Sequence, residues 1–309
     1  MTWLCCSGKR RTIRRARWFA VGWLLLLSFS VWAQTLTLRL DLAGTSAFHV
    51  RHPTLLARQG YGVNYSFEAP DAQEVSFHRA TPQAEFDTIT LEAAAGEIIA
   101  VRFSKPDERF SMIIHQIAGS LLGVWNAPPT EKTLPAPPVD AEVRRRFALT
   151  TELFAAAREA LGLKDFRGGQ TGTVTLQLGG VEDLVLRSGG ADVEYEYTFF
   201  ALAQDAMVEE LKVAVSGATF TVEVGSGRLL VQRQSTTADG QRTIAHLSIE
   251  GGSWQGVQEI RRPGERPTST DLTRAEAEQL LREGLSHLRA ARNHFGVTFG
   301  RDLAAYRLP

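Results

Sequence analysis

Two pairs of histidines have a spacing that could place both members on one metal ion. His49 and His52 would share a helical face, but Pro53 biases the residue before it towards an extended backbone. In a strand, positions 49 and 52 point to opposite faces. His287 and His294 would share a helical face, yet a rise of about 1.5 Å per residue separates them by roughly 10 Å. Because zinc–nitrogen bonds are only about 2 Å long, neither pair predicts a metal site, and a site assembled from distant histidines stays an alternative.

Paired carboxylates could carry general acid–base chemistry. Glu194 and Glu196 project from one face of a predicted strand, and Glu223 lies on the polar face of a nearby one. Retaining glycosidases hold two such groups about 5 Å apart. These glutamates lie on the face that is predicted to be solvated, whereas catalytic carboxylates need burial to shift their acidity. A hydrolase that combines Glu194, Glu196 and His246 is therefore kept as the alternative to a non-catalytic protein.

Motifs for covalent catalysis and for phosphate binding are missing from the sequence. Gly225-Ser226-Gly227 lacks the Gly-x-Ser-x-Gly spacing of a nucleophile elbow and predicts a hairpin turn. The glycine-rich segment 166–172 lacks the Gly-Lys-Ser/Thr of a P-loop. The three arginines at 144–146 form one short cluster, which is typical of the solvated face of a helix. The sequence therefore predicts no catalytic, cofactor-binding or metal-binding residues, and no cofactor.

The first 33 residues have the pattern of a secretory signal peptide. Their charged residues are all basic, and an apolar run from Trp18 to Trp32 follows. Val31 and Ala33 supply aliphatic or small residues at the −3 and −1 positions of a cleavage site. The apolar run of about 15 residues is shorter than the roughly 20 that span a hydrocarbon core, which favours cleavage over a retained anchor. We predict cleavage after Ala33 and an extracytoplasmic protein, either periplasmic or secreted.

Removal of this segment changes the charge and the cysteine content. Residues 1–33 contain six of the 34 basic residues, so 34 − 6 = 28 basic residues remain against 34 acidic ones, a formal charge of −6. An acidic chain disfavours nucleic acid as a partner. Cys5 and Cys6 are the two cysteines of the sequence, so the mature chain is predicted to be cysteine-free, without disulfides. No membrane span is predicted after signal removal.

Alternating apolar and polar residues dominate the stretch from Gly172 to Ile260. The run from Val193 to Phe199 is one example, with apolar residues at every second position. Strand side chains point to opposite faces with period two, so the pattern indicates one buried face and one solvated face. Short breaks that contain glycine or serine separate the runs, and short connections favour antiparallel neighbours. We predict an antiparallel meander of about six to eight strands.

A proline-rich segment marks the predicted boundary between two domains. Residues 127–139 contain five prolines and are predicted to form a linker, because proline-rich chains are extended and semi-rigid. Residues 34–126 are predicted to form an all-β, sandwich-like domain of short strands. Residues 140–309 are predicted to form an α+β domain in which two flanking helices cover the apolar face of the meander.

Local signals define these helices and settle one ambiguous segment. Asp140 can cap a helix that runs to about Leu161, and Thr273 with Glu276 makes a capping box at the start of the second helix. The segment Phe110–Trp125 has a partly helical apolar spacing but contains two glycines. Glycine weakens a helix interior, so two strands are predicted there.

The leading functional hypothesis is a non-catalytic binding protein of the cell envelope or the secreted fraction. Its ligand is expected to be either an apolar small molecule, such as a lipid enclosed by sheet and helices, or another envelope component bound to exposed strand faces. The alternatives are the extracytoplasmic hydrolase described above and a membrane-anchored structural module, which would require a retained signal segment.

Overall fold

A fifteen-stranded antiparallel sheet is the main element of the fold. The computed structural model describes residues 36–105, 110–126, 140–168, 172–189, 193–200 and 207–308. The first half of the large sheet consists of β2 (Ala47–Leu56), β3 (Tyr61–Glu68), β4 (Ala72–Arg79), β5 (Thr88–Ala94), β6 (Glu97–Lys105), β7 (Phe110–Ile117) and β8 (Ser120–Asn126). The second half consists of β10 (Asp183–Ser188), β11 (Val193–Phe200), β12 (Val208–Val215), β13 (Ala218–Gly225), β14 (Arg228–Thr236), β15 (Arg242–Glu250), β16 (Ser253–Arg261) and β17 (Thr268–Asp271).

Five further elements complete the described fold. Two strands form a separate ribbon, one 21-residue helix comes after β8 and another after β17, and a short 3-10 helix follows the second helix. Their bounds are β1 (Thr37–Asp41), β9 (Thr173–Gln177), α1 (Asp140–Ala160), α2 (Arg274–His294) and the 3-10 helix (Leu303–Ala305). Among the described residues, neither helix has a stretch long and apolar enough to cross a bilayer.

Sheet order follows chain order except at one junction. Each strand from β2 to β8 pairs with the next, as does each strand from β10 to β17, and β2 pairs with β10 to join the two runs. The α+β class, the antiparallel meander after Gly172 and the two helices are therefore confirmed. The two strands predicted within Phe110–Trp125 are also confirmed as β7 and β8.

One face of the large sheet is buried over its inner strands. Because every second residue of a strand points to the same side, cross-strand neighbours build continuous apolar rows. One such row, each member at most 1% exposed, is Tyr65, Val75, Leu91, Val101 and Ile114. Helix α2 lies close to this face at Gly284, where a Cβ atom would be 2.6 Å from Cγ1 of Val231. The core is thus the layer between sheet and helices.

The two helices divide the sheet between them. Helix α2 packs against β12 to β15, as expected for a helix that covers the meander. Helix α1 instead packs against β2, β6 and β8, which belong to the first run. The sequence predicts both helices on the second run and a sandwich-like domain over residues 34–126. In the structure β2 to β8 lie side by side in one layer, because α1 supplies the apolar cover that a second sheet would give.

Parts of the chain that carry three predictions lie outside the described residues. They are the predicted signal peptide with Cys5 and Cys6, the cleavage position at Ala33, and the proline-rich segment 127–139. Signal cleavage, the cysteine-free mature chain and the division into two domains at 127–139 therefore stay predictions.

The β1–β9 ribbon contacts the C-terminal ends of both helices. Gln177 N–H donates to the Leu161 carbonyl oxygen after α1 (3.0 Å), and a Cβ atom on Gly296 after α2 would lie 2.8 Å from the Arg39 carbonyl oxygen. Gly162 and Gly296 both have positive φ and end their helices with the same pair of backbone hydrogen bonds. Both helices thus end in the same way against the same ribbon.

An internal two-fold relation underlies this similarity. In the ribbon Arg39 pairs with Thr175, and in the large sheet His49 pairs with Val185. The two pairs have the same sequence separation of 136 residues (175 − 39 and 185 − 49). The sheet order is also the same on both sides of the β2–β10 junction: β2 to β8 run outward on one side and β10 to β16 on the other, and a 21-residue helix follows each run. We interpret the first half, β1 to α1, and the second half, β9 to α2, as two versions of one arrangement.

Candidate functional site

A buried ionic cluster lies between sheet and helix in the second half. Glu209 on β12 is 0% exposed, and Nη2 of Arg292 on α2 lies 2.7 Å from each of its carboxylate oxygens. The Tyr197 hydroxyl donates to Oε2 at 2.7 Å, and the Arg301 backbone N–H donates to Oε1 at 3.0 Å. Nε of Arg292 is a fourth donor, 3.1 Å from Oε2, so the lone pairs of this carboxylate are occupied and it is not available as a general base.

The pKa values in this cluster follow from burial and from the carboxylate. Burial raises the pKa of the Tyr197 hydroxyl, and the negative charge of Glu209 raises it further. Burial alone would lower the pKa of Arg292, but the hydrogen bonds and charge of Glu209 raise it above its ordinary value. Tyr197 therefore stays protonated and Arg292 charged at any physiological pH, as a structural ion pair requires.

The first half contains a neutral version of the same cluster. The Tyr65 hydroxyl donates to Oε1 of Gln73 at 2.6 Å, and Nε2 of Gln73 donates to the Arg167 carbonyl oxygen at 3.3 Å. Arg158 of α1 donates to the carbonyl oxygens of Leu163, at 3.1 Å, and of the residues that follow. Since the same positions hold a glutamine in one half and a glutamate in the other, the cluster has an architectural role in both.

The structure separates the residues of the hydrolase alternative. Glu196 accepts from Nε of Arg187 (2.9 Å) and from Nζ of Lys212 (3.3 Å), while Glu194 is exposed to solvent. Glu196 is on β11 and His246 on β15, so a spacing of about 4.8 Å per strand puts them roughly 19 Å apart across the sheet. These residues do not form one site.

Glu223 does not make a carboxylate pair with the other predicted glutamates. It lies on β13 directly opposite Glu210 of β12, and the partner that β12 places opposite Glu196 is Lys212. Two strand spacings therefore separate Glu223 from Glu196, well beyond the roughly 5 Å of a retaining glycosidase.

Each histidine considered for a metal site has a different partner. Nδ1 of His49 is 2.8 Å from the Ser66 hydroxyl on the outer face of the sheet, and Nε2 of the buried His52 is 3.0 Å from the Gly179 carbonyl oxygen. The His287 ring packs at a tilt against Phe220, and Nε2 of His294 is 2.9 Å from the Gly44 carbonyl oxygen. Within the described ranges, no three His, Cys, Asp or Glu residues are grouped to hold a metal ion.

The His49–Ser66 contact lies in an outer-face pocket of about 260 Å³. Burial lowers the pKa of His49, so the neutral imidazole can accept the Ser66 proton. A serine nucleophile also needs a third group that orients the base and donors that stabilise an oxyanion. The cross-strand neighbour of His49 on its other side is Val185, and the nearby carboxylate of Asp183 is paired with Arg51 at 3.5 Å. The pair is a cross-strand hydrogen bond in a shallow pocket.

Exposed apolar side chains collect at one end of the large sheet. Ile99 on β6, Ile117 on β7, and Leu122 and Val124 on β8 are between 44% and 61% exposed, and together we call them the edge patch. Val124 lies directly opposite Ile113 of β7 on the same outer face. Apolar side chains that stay in water at adjacent strands mark a surface that another molecule can cover.

The two edge strands of the sheet differ in length and polarity, and this difference bears on whether another chain can pair with them. At one end β17 has four residues, Thr-Ser-Thr-Asp, all exposed. At the other end β8 has seven residues without a charged side chain, and no described strand pairs with its far side. Short polar strands discourage pairing with other chains, whereas long apolar ones invite it. We take the β8 edge and the edge patch as the candidate binding site.

Sequence reasoning missed this site, although a signal was present. Leu121 and Leu122 are adjacent, so in a strand they must face opposite sides, and one of them must leave the core. Which of the two does so depends on the register with β7, which the sequence alone does not reveal.

Comparison with known proteins gives no relative for this chain. No family model matches it, and no significant match is found among curated proteins or solved structures. The function must therefore be argued from the chain itself.

Proposed function

We propose that this protein is an exported, non-catalytic binding protein of the cell envelope or the secreted fraction, and that it binds another protein through the edge patch and the β8 edge. The observation that carries the proposal is the group of exposed isoleucine, leucine and valine side chains beside an unpaired, uncharged strand. Burying such a surface stabilises a complex by about 25 cal/mol per Å² of apolar area before the costs of association.

The second half of the chain shows that this fold does not need an apolar surface there. The hairpin β7–β8 closes with the pair Ile117 and Ser120, and the matching hairpin β15–β16 closes with Glu250 and Ser253. Two residues after the closing serine, the first half has Leu122 and the second half has an exposed glutamine at 255. Val257, which matches Val124, is also exposed in the second half, so the difference between the hairpins lies at Ile117 and Leu122. These two side chains make the first-half surface more apolar, which supports binding.

The interior supports a protein partner over an enclosed lipid. On the buried face of the first half, the rings of Phe48, Phe67 and Phe166 have centroids 4.9 to 5.8 Å apart, and Phe48 also stacks on Tyr65. In the second half the Tyr197 ring packs against both Phe199 and Phe295, the residue after α2. Protein side chains thus occupy the places that an enclosed apolar ligand would need.

In this proposal residues 34–126 contain the binding surface and the proline-rich segment 127–139 follows it as a spacer. Helix α1, at the start of residues 140–309, covers the inner face of the first run and so supports that surface. Export with cleavage after Ala33 would place the edge patch outside the cytoplasm, where envelope proteins are available as partners.

A matched pair of photo-cross-linkers in cells of the host would test this function. One variant carries the cross-linking amino acid in place of Leu122, and the control carries it in place of Gln255 at the matching position of the second half. We expect a covalent complex at 122 and none at 255. The captured protein is then purified and titrated against wild type and Leu122→Lys, and we expect at least about tenfold weaker binding by the variant. Cross-linking to equal extent at both positions, or equal affinities, would refute the proposed function.

A further inference from the structure

The second half of the chain shows how one edge of this sheet is closed. Strand β17 pairs antiparallel with β16, and Val257 lies opposite Asp271. The next residue, Leu272, donates its backbone N–H to the Gly256 carbonyl oxygen at 2.9 Å. Its side chain lies over Gly256, where an added Cβ atom would be 2.9 Å from Cδ1 of Leu272. Gly256 is buried as a result.

Among the described residues, the β8 edge has the same geometry without a strand beside it. Gly123 lies opposite Ile114 three residues from the hairpin turn, just as Gly256 lies opposite Leu247. In this register the N–H and carbonyl groups of Gly123 point away from β7, because hydrogen-bonded and non-hydrogen-bonded pairs alternate from the turn. Gly123 is nevertheless partly exposed, and among the described residues β8 has no neighbour beyond β7.

The chain does not carry a second copy of the β17 donor set in the corresponding part of its sequence. Strand β17 and Leu272 occupy the five positions that precede Thr273, the N-cap of α2. The matching five residues before Val139 are Leu134, Pro135, Ala136, Pro137 and Pro138. Pro138 matches Leu272 and has no backbone N–H, so it cannot donate to the Gly123 carbonyl oxygen as Leu272 donates to that of Gly256.

We propose that the partner protein adds an extended segment of its own chain to β8, antiparallel, in the place that β17 takes beside β16. This inference rests on the proposed function. The segment donates a backbone N–H to the Gly123 carbonyl oxygen and places a leucine-sized side chain over Gly123. The residue of the segment just before this leucine-sized residue lies beside Val124 and is apolar. The corresponding residue in the second half is Asp271, which lies beside Val257. The segment is uncharged, since β8 offers no charge to pair with.

A second copy of this chain fits the position less well. If two β8 strands paired about Gly123, each would place a glycine where the β16 edge receives Leu272. Such a pairing would lack the contacts that a leucine-sized side chain makes. Self-association through β8 is therefore an outcome that would overturn the inference.

A synthetic peptide tests strand addition directly on the purified protein. The probe has the sequence of residues 267–273 with Asp271→Val, an acetylated N-terminus and a fluorescent label at its C-terminus. The control peptide is identical except for a methyl group on the backbone nitrogen of its leucine, which removes the donor to Gly123. We expect saturable binding of the probe in fluorescence anisotropy and binding at least about tenfold weaker for the methylated peptide. Amide hydrogen exchange should show new protection in β8.

Two protein variants separate this inference from the proposed function. Leu122→Lys should weaken probe binding, and Gln255→Lys at the matching place in the second half should not. If the methylated peptide binds as well as the probe while Leu122→Lys weakens both, the surface is right and strand addition is wrong. If Leu122→Lys has no effect on either peptide, the proposed function fails as well. Absence of probe binding up to about 1 mM, or a dimer with β8 already protected, would overturn the inference.

Discussion

Replacement of Glu209 by glutamine removes one charge from the most buried ion pair that the structure describes. Glu209 is fully buried, and the Arg292 side chain that binds it is 15% exposed. The variant keeps the size and shape of the side chain. It places an amide N–H₂ group where one carboxylate oxygen accepts hydrogen bonds, so that Arg292 meets a donor and its charge loses its counter-charge.

The size of the effect follows from this geometry. Breaking a buried ion pair by removing one partner costs about 3–5 kcal/mol, because the remaining charge is left without compensation. Arg292 reaches solvent to a small extent, so we expect Glu209→Gln to lower the free energy of unfolding by about 3 kcal/mol, at the lower end of that range. The presence of Gln73 beside Tyr65 in the first half does not mean that glutamine is tolerated at position 209. In the first half the charged Arg158 is bound by backbone carbonyl groups and does not need a carboxylate.

Urea unfolding, followed by circular dichroism, measures this difference. The matched control is Glu283→Gln, which removes the carboxylate from the half-exposed pair with Arg233, where nitrogen and oxygen are 3.6 Å apart. Exposed pairs contribute about 0–1 kcal/mol, so the control should lie within about 0.5 kcal/mol of wild type. A loss below about 1 kcal/mol for Glu209→Gln at an unchanged m-value would refute the reasoning about this cluster.

Three further predictions concern pH, a helix end and export. Burial lowers the pKa of His52, so the unfolded chain binds more protons between that pKa and about 6.5, and stability should fall as the pH drops through this range. Urea titrations at about pH 7.5 and 5.5 should show a smaller loss for His52→Gln than for wild type, and an equal loss would contradict a buried neutral histidine. Gly296→Ala should lower the free energy of unfolding by about 1–3 kcal/mol, because the new Cβ would approach the Arg39 carbonyl oxygen. The control Gly251→Ala, at a positive-φ position with open space, should cost less. Equal losses of stability in thermal unfolding would argue against the contact with Arg39. N-terminal sequencing of protein from its host should begin at Gln34, and a chain that begins at Met1 would contradict cleavage.

Short-range patterns in the sequence predicted most of the local structure. The alternation from Val193 to Phe199 lies within β11, whose residues Tyr197 and Phe199 are fully buried. The capping box of Thr273 and Glu276 is present at the start of α2, with both reciprocal hydrogen bonds. These predictions succeed because strand alternation and helix capping depend on residues within a few positions of each other.

Long-range pairing could not be read from the sequence. The β1–β9 ribbon and the β2–β10 junction each join strands more than a hundred residues apart, and nothing in the local pattern of a strand selects its partner. The packing of α1 against the first run could not be predicted either, because an amphipathic helix can cover the apolar face of either run.

The internal two-fold relation is also hidden in the sequence. The halves share buried positions and hydrogen-bonding roles, such as Tyr65 with Gln73 and Tyr197 with Glu209, rather than runs of identical residues. The separation between the two tyrosines is 132 residues (197 − 65), and that between Gln73 and Glu209 is 136 (209 − 73), because loops differ in length. A fixed-period search therefore does not align them, whereas the three-dimensional contacts do.

The most direct test of the binding surface is residue-resolved amide hydrogen exchange of the protein alone and with the partner captured at position 122. The account predicts that the amide of Gly123 and its neighbours on β8 exchange more slowly in the complex, while the amides of β16, already paired with β17, are unchanged. Protection confined to the outer pocket around His49, or to any strand other than β8, would contradict it.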